Sequence, residues 1–140
     1  MTLIDFYSGS NDKLHTACRL SVKIIQQNLK VVIYIPDIKI AAEIDKLLWT
    51  FSSTEFIPHC HVKDKFALET PVTISQSEEK LPHDNILINL HNQHPPFFSR
   101  FLRLIEISET TIEDTEAARI RYRFYKDRGY EIRHHKLQGA

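Results

Sequence analysis

Glycine is scarce in this chain. The 140 residues include only Gly9, Gly129 and Gly139, too dispersed to build a loop of backbone N–H groups around a phosphate, which excludes the Walker and dinucleotide-binding fingerprints. Cysteine is scarcer still: Cys18 and Cys60 are too few for a disulfide framework, and they fit a reduced, cytoplasmic setting. Net charge is missing as well. Eighteen Lys+Arg balance eighteen Asp+Glu, so no global field draws the molecule to nucleic acid or lipid, and any electrostatic function has to be local. No apolar run approaches the roughly 18 residues of a membrane span. The opening MTLIDFYSGS also lacks the basic stretch and long apolar run of an export signal. These features predict a soluble, cytoplasmic protein with no membrane contact. Repeats, low-complexity tracts and dividing linkers are absent too, and 42% apolar with 26% charged residues suits a single domain over residues 1–140.

What is present alternates between two hydrophobic periods. Leu3, Ile4, Phe6 and Tyr7 form a short strand that stops at the turn signal Ser8-Gly9-Ser10, with Asn11-Asp12 as helix caps. From residue 12 to 29, Leu14, Ala17, Cys18, Ser21, Ile24, Ile25 and Leu29 recur at three- and four-residue spacing, the mark of an amphipathic helix. Val31 to Ile35 is a β-branched run suited to a strand covered on both faces, and Pro36-Asp37 ends it before a second helix over 38–49. Strand, helix, strand in this order implies a βαβ unit. Phe66 to Leu68 and Val72 to Ser75 are short strand candidates, and Asn85 to Leu90 and Leu102 to Ile107 are longer ones. Helical spacing returns from Ile112 to Arg128, Gly129 supplies a left-handed stop, and Tyr130 to Leu137 alternates as a final strand.

Local charge is the strongest functional signal. Between Ala117 and Lys136 there are seven Lys/Arg against Asp127 and Glu131, and seven less two leaves an excess of five that the rest of the neutral chain must balance. Helical projection puts Ala117, Ile120 and Phe124 on one side, toward the core. Arg119, Tyr122, Arg123 and Lys126 fall within about 100° of one another on the other side. Three cations around one aromatic ring suit a ligand that combines carboxylates with an apolar group, such as a short acidic peptide tail. Spacing alone does not decide between this and a solvated helix face, while direct phosphate binding by one short patch on a neutral domain would be weak.

The second signal is aromatic. The stripe of the second helix, Ile40, Ala41, Ile44, Leu47 and Leu48, leaves Trp49, the only tryptophan, roughly 140° from its centre. Trp49 with Phe51 and Phe56 in WTFSSTEF makes either a protein-docking surface or a satellite core under a folded-back loop.

Other chemistry finds little support. His59-Cys60-His61 is locally dense, and His134-His135, His83, His91 and His94 add to it, but none has the paired spacing of a zinc site. No nucleophile elbow or Cys/His order stands out. Paired acids such as Glu78-Glu79 and Glu113-Asp114 lie where solvent or a helix dipole explains them. No catalytic set, cofactor or metal is expected.

The opening FY, the segment IDKLLWTFSSTEFIPH, the strand NILINL and the close ARIRYRFYKDRGY follow one another as in a known family. The chain resembles the chi subunit of bacterial DNA polymerase III holoenzyme nearly end to end, with the greatest divergence from His61 to His83. The resemblance implies a three-layer, Rossmann-like α/β domain with a central, mostly parallel sheet and no nucleotide-binding loop. It implies a non-enzymatic clamp-loader accessory protein that joins the psi subunit, as a heterodimer, to single-stranded-DNA-binding protein and meets DNA only indirectly. A Trp and a Phe that dock psi, or alternatively a repair helicase, correspond to Trp49 and Phe56. The pocket for the acidic, Phe-ending tail of single-stranded-DNA-binding protein corresponds to Arg119, Tyr122, Arg123 and Lys126. At Arg123 and Lys126, Lys and Arg are exchanged relative to the best-known members, which keeps charge but alters carboxylate geometry. The rival from another class is a small α/β nucleotide-dependent enzyme, which the scarcity of glycine disfavours.

Overall fold

A computed structural model describes residues 1–52, 56–78 and 81–137. Glu79, Gly139 and the middle of the WTFSSTEF segment therefore lie outside the described residues. Seven strands, β1 (Leu3–Ser10), β2 (Val31–Tyr34), β3 (His59–His61), β4 (Val72–Ser75), β5 (Ile86–Asn89), β6 (Arg103–Glu109) and β7 (Ile132–Lys136), form one sheet in the order β3-β4-β2-β5-β6-β1-β7. Every neighbouring pair is parallel. Such a sheet needs both faces covered. Helices α1 (Lys13–Gln26) and α2 (Ile38–Thr50) cover one face, and α3 (Ile112–Asp127) with the aromatic turn at Phe97, Phe98 and Phe101 covers the other. The fold is the expected three-layer, Rossmann-like α/β arrangement. No helix among the described residues is long and apolar enough to cross a membrane.

The β-branched runs obey the period of two. Val31, Ile33 and Ile35 enter the core under α1 and α2, while Val32 and Tyr34 enter the core under α3. Each helix starts at a side-chain cap: Asp12 accepts from the Leu14 and His15 amides, Asp37 from those of Lys39 and Ile40, and Thr111 from that of Asp114. Helix α1 is shorter than the apolar spacing suggests. Gln27 caps it and Asn28 turns left-handed at φ 60°, so Leu29 lies beyond the helix and is 38% exposed. Cys18 is buried within α1, where desolvation and the nearby Asp12 push its thiol up to about 12.

Two local expectations are corrected, and one strand forms where the sequence shows no strand period. The turn signal Ser8-Gly9-Ser10 does not end β1. It makes an irregularity within the strand, with Gly9 at φ 80° and its backbone so near the Leu137 carbonyl that a Cβ would sit 2.9 Å from that oxygen. Phe66 to Leu68 is a turn, because Asp64 caps the Phe66 amide and the chain tightens through Thr70, leaving Phe66 and Leu68 exposed. The edge strand β3 is the polar triplet His59-Cys60-His61, too short and too polar to show an apolar period.

One carboxylate sits where the alternating pattern places it under the α1/α2 layer. Asp5, on central-flank strand β1, is fully buried and accepts from Arg133 (2.9 and 3.0 Å), from His135 (2.8 Å) and from Arg103. Burial works against its charge, but these donors bring the carboxyl from the ordinary 3.8 down to about 2. A carboxylate whose pKa falls on folding adds stability above its unfolded value and loses it as the pH drops toward the folded one. The contribution is about 1 to 2 kcal/mol after allowing for the half-exposed Arg133. Urea unfolding is therefore expected to lose more stability between pH 6 and pH 2 in the parent than in Asp5→Asn, with the difference growing below about pH 4.

Candidate functional site

The polar centre of the α3 interface determines how the helix presents its outer face. Sequence projection turns Ala117, Ile120 and Phe124 inward, yet the buried residues are Ala118, Arg121 and Tyr125, and Ile120 is 73% exposed. The helix is rotated by about 100°, one residue's step. The reason lies in the sheet beneath it. Glu106 and Asn89 point from β6 and β5 toward α3, and both are fully buried. An apolar helix face there would strand a carboxylate, at a cost far above that of exposing one isoleucine. Instead Arg121 Nε donates to Glu106 at 2.9 Å, Tyr125 donates its phenolic proton to the other oxygen, and Asn89 Nδ2 donates to both at 3.2 and 3.0 Å. Arg121 Nη1 donates to the Asn92 carbonyl at 2.8 Å. Burial pushes the Glu106 carboxyl upward, opposed by the Arg121 guanidinium and the three donors, and burial beside that carboxylate drives Tyr125 far upward too.

This network removes Arg121 from the surface charge, and Arg133, though half-exposed, is paired with the buried Asp5, so two of the seven cations read from the sequence already have an acidic partner. A third, Arg128, lies over the Phe124 ring at 3.6 Å. Arg119, Arg123 and Lys126 remain exposed, and none of them is in an ion pair among the described residues. Together with half-buried Tyr122 and with Asp127 they line one shallow groove on α3. The four side chains singled out by projection are thus neighbours on one surface.

Beside that groove runs a second, apolar cleft. Phe6 and Ser8 of β1, Ser108 of β6 and His134 of β7 form its sheet wall, and Thr115, Ala118, Arg119 and Tyr122 form its helix wall, around about 390 Å³. Phe6 meets the Tyr122 ring edge-on at 5.7 Å, and His134 is held by a 2.9 Å hydrogen bond between Nε2 and Ser8 Oγ. Arg119 and Tyr122 belong to both cavities. Sequence reasoning missed Phe6, Ser8 and His134 because the parallel pairing of β1 with β7 is a contact across more than a hundred residues. The period of two in each strand does put Phe6 and His134 on an equivalent face once they are paired.

The aromatic signal lies at the opposite edge of the sheet. Trp49 is 59% exposed and Phe56 65%, with ring centroids 5.5 Å apart. Trp49 rests edge-on against His59 at 4.7 Å. The His59 side chain is itself buried, donates from Nδ1 to the Ile57 carbonyl at 2.7 Å, and has Nε2 3.4 Å from Asp45. Phe51, by contrast, turns toward the core and packs 4.8 Å from His15. The aromatic cluster is therefore Trp49 with Phe56 on a support of His59. Among the described residues, no group of three or more His, Cys, Asp or Glu is arranged to hold a metal ion.

The crevice at the carboxyl ends of the central strands is where this fold class takes nucleotides. Here it is lined by Asp37, Glu43, His91, Glu109 and Asp114 around Lys13. Lys13 pairs with Asp114 at 3.0 Å, Glu109 accepts from the Lys13 amide at 2.7 Å, and Asp114 accepts from the Glu109 amide at 2.6 Å. The backbone donors that would hold a phosphate at the start of α1 are occupied by the chain's own carboxylates.

Comparison with known proteins gives the chain its family. Residues 1–133 match the family described as DNA polymerase III chi subunit, HolC. A protein of Pseudomonas aeruginosa named DNA polymerase III subunit chi is 33% identical over 98% of both chains. One of the same name from Haemophilus influenzae is 30% identical over 83% of this chain and 81% of its own. With a match of that extent across the strands, helices and both surfaces described above, the chain belongs to the DNA polymerase III chi subunit family.

Proposed function

We propose that this protein is a non-catalytic replisome adaptor. It is anchored through Trp49 and Phe56 to the psi subunit of the clamp-loader complex. Through Arg119, Tyr122, Arg123 and Lys126 it captures the acidic carboxyl-terminal tail of single-stranded-DNA-binding protein. The observation that carries the reading is the junction of a cationic groove, without an ion pair among the described residues, with an apolar cleft through two shared residues, Arg119 and Tyr122. An acidic chain that ends in an aromatic residue needs both. Its carboxylates find guanidinium and ammonium groups outside, and its ring finds Phe6, Ala118 and Tyr122 inside. The occupied backbone donors of the strand-end crevice support the adaptor over a nucleotide-dependent enzyme.

Contacts of this kind are individually weak, but many tails along coated DNA and tethering to the polymerase raise their effective concentration. Salt weakens the tail contact and spares the aromatic one. Replacing Arg119 with alanine is expected to cost on the order of 1 to 3 kcal/mol in tail-peptide binding, the range for a hydrogen bond to a charged group, with the thermal transition unchanged. Fluorescence anisotropy titration with a tail peptide measures this, and equal affinity in variant and parent would remove the assignment. A thermal-shift panel of nucleotides and metals tests the enzymatic rival, since any ligand that binds only the folded state raises the melting temperature.

A further inference from the structure

The rotation of α3 that buries Arg121 leaves an apolar residue outside for which the fold has no use. Ile120 is 73% exposed, yet it stands in a defined groove of about 330 Å³ with Arg119, Arg123, Phe124, Asp127 and Arg128. Three guanidinium groups face a single carboxylate there, so the groove favours an anionic occupant. Arg119 and Arg123 are common to this groove and to the Tyr122–Lys126 groove, so the two flanks of the helix share one cationic ridge.

We infer that the acidic tail held at Tyr122 continues over the Arg119–Arg123 ridge and seats an upstream apolar side chain against Ile120 on the opposite flank of α3. This inference rests on the tail-capture reading and extends its footprint. A helix is about 10 to 12 Å across and an extended chain advances about 3.3 Å per residue, so the crossing takes about three or four residues. Those are the residues over the ridge, where carboxylates meet Arg119 and Arg123. The next residues upstream reach Ile120, where an apolar side chain is covered and a further acid lies near Arg128.

Phe124 argues for a peptide over a nucleic acid strand. His94 stacks on its ring at 3.6 Å and 18°, and the Arg128 guanidinium carbon lies over it at 3.6 Å, so both faces are already covered. A base has no open ring to stack on, and stacking is the main sequence-tolerant contribution to single-strand binding. An apolar peptide side chain needs only the exposed edge beside Ile120.

The test compares two synthetic acidic peptides that end in phenylalanine, one of about four residues and one of about ten with an apolar residue upstream of the acids, titrated against the full chain. The longer peptide is expected to bind the parent roughly tenfold more tightly, worth about 1.4 kcal/mol. Ile120→Glu should remove that gain, and Ile120→Ala should reduce it while leaving the short peptide's affinity unchanged, whereas Arg119→Ala weakens both peptides. Equal binding of the two lengths, or a gain that survives Ile120→Glu, overturns the groove assignment while leaving tail capture intact. Failure of both peptides to bind overturns tail capture and the groove with it. A single-stranded oligonucleotide whose binding is lost in Ile120→Glu, with no gain for the longer peptide, would reassign the groove to nucleic acid and overturn the proposal.

Discussion

Glu106→Ala is expected to destabilise the protein by about 3 to 5 kcal/mol, a large share of the 5 to 15 kcal/mol typical of a domain. The carboxylate has no solvent-exposed surface and its partner Arg121 is only 1% exposed, so the substitution leaves a guanidinium charge in the interior with a single carbonyl, that of Asn92, to accept from it. Tyr125 loses the acceptor for its hydroxyl at the same time. A matched double substitution, Glu106→Leu with Arg121→Met, removes both charges together and is expected to recover most of the loss, because a well-packed apolar pair costs little compared with an unpaired buried ion. Urea denaturation of the parent and the two variants decides the matter. A loss below about 1 kcal/mol in Glu106→Ala would mean that the pair is not a buried ionic lock. Tail-peptide affinity of the double variant should stay within a few-fold of the parent, since Arg119, Tyr122, Arg123 and Lys126 project from the other side of α3 and are not among the groups that contact Glu106.

The same network marks the boundary between what the chain discloses as a sequence and what only its fold discloses. The βαβ opening, the cap at Asp12, the break at Pro36-Asp37, the stop at Gly129 and the outward Trp49 follow from short-range rules, and they hold in the structure. So does the grouping of Arg119, Tyr122, Arg123 and Lys126, because helical geometry fixes their mutual angle whichever way the helix is turned. The direction in which α3 turns does not follow from its own sequence. By hydropathy, Ala117, Ile120 and Phe124 outrank Ala118, Arg121 and Tyr125. The deciding residues, Glu106 and Asn89, are on strands, and their signal is a polar side chain inside an otherwise apolar run, Leu104 to Ile107 and Ile86 to Leu90. Asp5 within LIDFY carries the same signal and finds Arg133 and His135 on β7. An acid in the middle of a buried strand thus announces a cationic partner elsewhere in the chain, but only the sheet order identifies it. The apolar wall at Phe6 and His134 stayed hidden for the same reason, since β1 and β7 are neighbours in the sheet and far apart in sequence.

Trp49→Ala is expected to abolish co-purification with psi while leaving both the fold and the tail contact in place. Trp49 is 59% exposed and its ring packs on Phe56 and His59 without entering the core under α2, whose buried residues are Ala41, Ile44 and Leu48, so truncation opens no cavity. A partner that covers the ring removes its remaining exposed surface from water, and buried tryptophans at interface centres contribute on the order of 2 to 4 kcal/mol, roughly 30- to 1,000-fold in affinity. Phe56→Ala should follow in the same direction with a smaller effect, because the ring that it supports remains. The contact is apolar, so the loss should be nearly independent of salt, in contrast to the Arg119→Ala effect, which shrinks as ionic strength rises. Analytical ultracentrifugation with purified psi at two salt concentrations, paired with tail-peptide titration of the same samples, separates the surfaces. A Trp49→Ala variant that keeps psi would move the anchor away from this edge of the sheet. One that loses psi and the tail peptide together would mean that the two ends of the sheet are coupled, and two independent docking surfaces would no longer describe the molecule. If psi and a repair helicase both recognise Trp49 and Phe56, they must exclude each other. Adding the helicase should then displace psi from the parent protein and leave a bound tail peptide in place.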